Sequence, residues 1–211
     1  MEQEIDKEYL GQLLLEKGFK TWFLYMFRVL EGRPFKVEPI HEDMFKLMDD
    51  MLAQRIIRAN ENVPPRSAKT TMCKYMVFYT FTINPTANFI YTSFNQGLLA
   101  DISKELAALM EHPIYKAMYP QKITVEYLET SPVDDFWRDY LQREMKTNTY
   151  TNRRITTSKG GSVLFAAIGS QITGYGAGIR GAKNFSGALI IDDANKPADI
   201  YSQTMRDKVL R

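Results

Sequence analysis

Ala188-Leu189-Ile190-Ile191 is apolar at every position and runs directly into two acids, Asp192-Asp193. A strand with no polar alternation is the signature of burial on both faces, as in a parallel sheet carrying helices. Such a strand delivers its following carboxylates to the carboxyl edge of the sheet, where ligands bind in open α/β folds. The rest of the chain reads as helices alternating with short strands, the α/β pattern. A helical period runs from Tyr9 to Leu30, interrupted at Gly18, and a second amphipathic helix runs from Ile40 to Ile57. Short strands are predicted at Arg58–Val63 and Asn88–Ser93, with helices from about Thr70 to Thr80 and from Gln96 to Glu111. Residues 130–154 are polar, tyrosine-rich and without period, so an irregular excursion is expected there. Ile155–Thr157 and Ser162–Ile168 flank Lys159-Gly160-Gly161, a hairpin signal.

The second informative feature lies about 120 residues earlier: Val63-Pro64-Pro65-Arg66-Ser67-Ala68-Lys69-Thr70-Thr71, a tight loop opening a helix. Such a loop turns backbone N–H groups toward phosphates at the positive end of the helix. A lysine at Lys69 reaches β- and γ-phosphates, and the hydroxyl of Thr70 ligates Mg²⁺. Asp192 would then complete the Mg²⁺ shell, and Asp193 would orient or deprotonate the attacking water. Each half alone has an ordinary reading, a plain helix start and a pair of capping acids. Together they fall in the order and on the elements that an ATPase requires. The usual phosphate-loop formula places glycines where Val63 and Ala68 stand.

Composition narrows the rest. With 211 residues, the chain suits one sizeable α/β domain. Basic residues number 27 against 25 acids, so a net charge of +2 marks no global nucleic-acid field and leaves any DNA contact to a local patch. One cysteine, Cys73, excludes an internal disulfide and a cysteine zinc cluster and fits a reducing cytoplasm, where it reads as a small buried apolar residue. No signal-peptide run opens the chain and no apolar stretch is long enough to span a bilayer, so no membrane partner is expected.

The loop Pro64-Pro65-Arg66-Ser67-Ala68-Lys69-Thr70 resembles the deviant phosphate loop of the large terminase subunit of tailed bacteriophages, a Pro-Pro-Arg followed by two small residues and Lys-Ser or Lys-Thr. Colinear segments extend the resemblance over roughly residues 35 to 211. They are Pro39 and His41; Asn84-Pro85; Ile90 to Phe94; Leu98 to Ser103; His112 to Tyr115 with Tyr119-Pro120; Gly174 to Gly181; and Ile190 to Asp193, followed by Lys196, Ser202 and Arg206. The resemblance implies a RecA-like P-loop NTPase: a mostly parallel sheet flanked by helices, with residues 1–35 as an N-terminal helical extension and 36–211 as the ATPase core. ATP and Mg²⁺ are the implied cofactors. Pro65 to Thr71 and His41 would bind nucleotide, Thr70 and Asp192 the metal, and Lys69, Arg66 and Asp193 would be catalytic. His41 is open between an adenine contact and a helix cap, and Arg66 between a γ-phosphate finger and a structural ion pair.

Duplex DNA, a portal protein, a small terminase subunit and a homo-oligomeric ring are the implied partners, in the cytoplasm of an infected bacterial host. The coupling strand and nuclease domain of that family are expected beyond Arg211. The chain as it stands is therefore expected to bind Mg-ATP weakly, hydrolyse it slowly or not at all, and cut no DNA. Arg180 is a candidate contact for DNA or for a neighbouring subunit; Arg153-Arg154 and Lys159 are open between phosphate contacts and a solvated basic face. The rival functions are a helicase-like or repair DNA-dependent ATPase and a nucleotide-holding module without turnover.

Overall fold

The computed structural model describes residues 6–120, 125–127, 153–170, 172 and 174–193. Most of the stretch expected to be irregular, 130–152, lies outside these residues, as do Lys196, Ser202 and Arg206. The first two helices, α1 (Lys7–Glu16) and α2 (Phe19–Leu30), divide at Gly18, whose φ of 85° is left-handed and open to glycine at little cost. Pro39 opens α3 (Pro39–Leu52) at a first-turn position where no N–H is needed. Helix α3 stops short of the expected Ile57: Gln54 turns left-handed at φ 59°, and the chain leaves the helix.

Helix α4 (Lys69–Ile83) carries little amphipathic pattern because it is buried nearly all round, from Met72 to Thr82 apart from the half-buried Cys73. Strand β1 (Asn88–Ser93), α5 (Gln96–Glu111) and α6 (Pro113–Met118) follow, then β2 (Val125–Tyr127), β3 (Arg153–Thr157), β4 (Ser162–Ala167) and β5 (Leu189–Ile191). The hairpin β3–β4 turns at Lys159-Gly160-Gly161 as its sequence requires, and Arg153-Arg154 belong to its first strand rather than to an irregular segment.

The sheet order is β2-β3-β4-β1-β5. Strands β4, β1 and β5 run parallel as expected, while β3 pairs antiparallel with both β2 and β4, so the mostly parallel sheet is mixed at one side. Phe89, Tyr91, Ile155, Val163, Phe165 and Ile190 share one face of it by alternation, and they join a single core with the buried residues of α1 to α6. Aromatic rings dominate that core: Trp22 packs edge-on against Phe78 and Tyr79, with centroids 5.1 Å away in each case, and Phe23 against Tyr75 at 5.0 Å. Trp22 also donates from Nε1 to the Tyr119 hydroxyl at 3.0 Å, which in turn donates to the Gly11 carbonyl at 3.0 Å. The α1–α2 region is thus continuous with the core rather than appended to it.

Two expectations for strands fail. Residues 58–63 form no strand: Asn60, Glu61 and Asn62 are poor strand formers, and no described strand lies alongside to pair with them. Strand β5, apolar throughout, is an edge among the described strands, with Ile190 buried but Leu189 and Ile191 exposed at 53% and 58%. Its close seating on β1 depends on Gly187, where a Cβ would stand 1.9 Å from the Asn88 carbonyl oxygen.

Candidate functional site at the carboxyl edge of the sheet

The N-terminus of α4 lies at the carboxyl ends of the parallel strands. Ahead of it the loop is bent by two non-glycine residues in the left-handed region, Arg66 (φ 66°) and Ala68 (φ 56°), with Ser67 between them. Each such residue carries a steric cost of about 1–2 kcal/mol that the surrounding fold must overcome. Alternating handedness of this kind turns successive N–H groups toward one point. No side chain caps α4, and no acid sits in its first turn, so its free N–H groups and positive end are left uncompensated from within the helix. Ser67 Oγ is buried with no hydrogen-bond partner among the described residues.

Asp192 and Asp193 reach this loop from the end of β5. The Asp192 N–H donates to the Thr92 carbonyl at 2.8 Å, extending the ladder by one residue and fixing where the acid emerges. Thr70 Oγ1 donates to Asp192 Oδ2 at 2.6 Å, and Tyr91 OH to the same oxygen at 3.1 Å. Lys69 Nζ donates to Asp193 Oδ1 at 2.8 Å and stands 3.4 Å from Asp192 Oδ1. Asp192 is almost wholly buried, whereas Asp193 is half-exposed and held left-handed at φ 48°.

Two pairs of residues more than 120 positions apart are therefore brought into direct contact. The hydrogen bond to Asp193 holds the Lys69 ammonium above its ordinary value, with burial opposing and both carboxylates adding to the rise. Burial raises the carboxyl of Glu61, opposed by the charge of Lys69. Burial also pushes the half-buried Cys73 thiol up to about 12, with Asp192 and Glu61 contributing. Cys73 packs against the core and is no nucleophile at neutral pH.

Beside the loop, on the other flank of α4, opens a cavity of about 700 Å³ whose lining includes His41, Arg66, Ala68, Thr71, Lys74 and Glu105. Lysine 69, Thr70 and the two aspartates do not line it; Arg66, Ala68 and Thr71 connect the two places. His41 acts as a helix cap: the Glu38 N–H donates to its Nδ1 at 2.9 Å. That bond makes Nδ1 the acceptor and leaves the proton on Nε2. This Nε2 is buried and has no partner among the described residues. The cap is thus observed. Arg66 makes no ion pair with a described carboxylate, so the structural pairing is not what holds it. Pro65 occupies the turn before Arg66.

The candidate DNA-contacting residues do not gather at this site. Arg154 is engaged in the fold, donating to Ser162 Oγ at 3.3 Å and lying over the Tyr175 ring at 5.7 Å. Lys159 and Arg180 are exposed on separate turns.

Sequence reasoning missed Tyr91 and the buried Lys74, which pairs with Glu105 at 2.6 Å across the cavity wall. Tyr91 reads as one more aromatic in a strand, and only the register of β1 against β5 sets its hydroxyl beside Asp192. Among the described residues no helix is long and apolar enough to cross a membrane. No group of three or more histidine, cysteine or acidic side chains gathers there as a metal-binding cluster.

Fold and site together define an α/β protein in which a cationic, left-handed helix start faces an acid pair at the ends of parallel strands. Comparison with protein-family models, with curated proteins and with solved structures finds no match to this chain.

Proposed function

We propose that the chain is a P-loop NTPase that binds Mg-ATP between the 64–71 loop and the Asp192-Asp193 pair. We further propose that it serves as the ATPase core of a viral DNA-packaging motor of the large-terminase kind. The observation that carries the nucleotide reading is the contact of Thr70 with Asp192 at 2.6 Å across the sheet edge, beside a lysine shared by both acids. A hydroxyl and a buried carboxylate converging at a helix N-terminus suit Mg²⁺, which takes one or two carboxylates plus phosphate oxygens and waters. The Asp192 Oδ1 atom, buried, accepting no hydrogen bond among the described residues and ion-paired with Lys69 at 3.4 Å, fits a cation ligand. Magnesium, when bound, would neutralise charge on the phosphates.

The chain's own residues divide the remaining work. The left-handed loop presents N–H groups to the phosphates, and Lys69 exchanges its carboxylate partners for phosphate oxygens. Arg66, with no acidic partner among the described residues, is available to the γ-phosphate. Asp193, half-exposed, is placed to orient or accept a proton from water. The cavity beyond Ala68 and Thr71 would take the nucleoside, with His41 in its wall. The packaging role, with duplex DNA, portal, small subunit and ring assembly, is supported by the resemblance of the loop and its colinear segments. The same resemblance supports the bacterial host cytoplasm as the place of action.

Calorimetry with Mg-ATP tests the site. Lys69→Ala should lose a charge-assisted contact of about 1.5–3 kcal/mol, roughly ten- to hundredfold in affinity. Asp193→Asn should keep binding and abolish phosphate release. Unchanged affinity in Lys69→Ala removes the phosphate-loop assignment, and normal turnover in Asp193→Asn removes the role of that acid. Phosphate release with and without duplex DNA separates a DNA-dependent motor from a module that only holds nucleotide.

A further inference from the structure

The two carboxylate oxygens of Asp192 are in unlike surroundings. Oδ2 accepts from two hydroxyls, Thr70 at 2.6 Å and Tyr91 at 3.1 Å. Oδ1 accepts no hydrogen bond among the described residues, although the side chain is only 1% exposed and Lys69 Nζ lies 3.4 Å away. A buried anionic oxygen needs a cation, and Lys69 Nζ fills that role in this structure as an ion pair rather than an aligned hydrogen bond, so a divalent ion at Oδ1 would take the lysine's place.

The two hydroxyls also differ in their freedom. Thr70 stands in the first turn of α4, and in the nucleotide reading its hydroxyl is needed by the metal. Tyr91 stands inside β1, paired on both sides to Ile190 and Phe165, with its ring 1% exposed and centred 5.8 Å from that of Phe165. Its hydroxyl cannot follow the metal.

We propose that Tyr91 is a positioning residue that pins Oδ2 of Asp192 from the interior of the sheet, leaving Oδ1 turned toward Lys69 as the ligand for a divalent cation. This rests on the nucleotide reading and adds to it a residue outside both the loop and the acid pair. When Thr70 turns to the metal, Tyr91 alone keeps the carboxylate from rotating and from using Oδ2 in place of Oδ1. Fixing a ligating group through a partner of this kind is commonly worth ten- to hundredfold in metal affinity.

The test is a Mg²⁺ titration of ATP binding, followed by calorimetry, on the wild-type chain, Tyr91→Phe and Phe165→Leu, with ATP binding in EDTA measured for each. Tyr91→Phe should raise the Mg²⁺ concentration for half-maximal effect about tenfold or more and leave metal-free ATP binding unchanged. Phe165→Leu, which thins the packing around the same ring but keeps the hydroxyl, should leave the Mg²⁺ midpoint in place. An unchanged midpoint in Tyr91→Phe overturns the inference while the nucleotide reading stands, provided that the wild type binds. An equal rise in Phe165→Leu, or loss of a cooperative melt in Tyr91→Phe, overturns it as well, because packing would then be the cause. Absence of any Mg²⁺-dependent ATP binding in the wild type would bring down the nucleotide reading itself.

Discussion

The two ends of helix α4 obey opposite rules. From Met72 to Thr82 the helix is buried nearly all round, its rings interlocked with Trp22 and Phe23, and its threonines satisfied by carbonyls four residues back. At Ala68 to Thr70 the same helix starts in a strained conformation, without a cap, and is held by residues from the far end of the chain. One end contributes stability through buried area. The other forgoes local stability to hold polar groups in a fixed arrangement, as functional sites do.

The largest effect expected from this contrast lies in the core. Trp22→Ala should destabilise the fold by about 3–5 kcal/mol, through the cavity it leaves and the lost donor to Tyr119. Lys69→Ala should shift stability by less than about 1 kcal/mol, because its ion pair to Asp193 is partly solvated. Urea denaturation of both variants measures the difference, and equal losses would erase the distinction between the two ends.

A smaller effect, of opposite sign, is expected at the loop. Ala68→Gly should stabilise by about 0.5–1 kcal/mol, the left-handed penalty relieved less the entropy of a freer unfolded chain. A rise in Tm with nucleotide affinity retained is the outcome that supports stored strain; a fall in Tm would mean that the alanine methyl contributes packing that offsets it.

The smallest is a pH effect at Lys69. Its hydrogen bond to Asp193 raises it above the ordinary 10.5, so the stability it contributes is whole below that value and is lost as pH climbs through the raised one. The amount is a few tenths of a kcal/mol for a pair this exposed. Urea midpoints from about pH 9 to about pH 11 should therefore fall slightly more in the wild type than in Lys69→Met. Superimposable curves would show that the pair contributes nothing to the fold.

Much of this architecture was legible without coordinates. Gly18 divided two helices and Lys159-Gly160-Gly161 turned a hairpin, because each of these acts through its own backbone. Lys69-Thr70 and Asp192-Asp193 were legible as belonging together from their residue types, and the fold sets them in contact. The polar strand expected at 58–63 failed for the converse reason: a strand exists only with a neighbour to pair with, and local composition does not supply one.

Local sequence by itself determined where the chain bends, which helix starts carry free N–H groups, and which residue types could serve phosphate and metal. Tertiary structure alone decided that β5, apolar on every side, lies at an edge of the described sheet rather than within it. It also decided that Ala68 would occupy a conformation more at home to glycine, and that Tyr91 would face Asp192. These last depend on register between strands about a hundred residues apart, and a shift of one residue would carry the Tyr91 hydroxyl to the opposite face of the sheet.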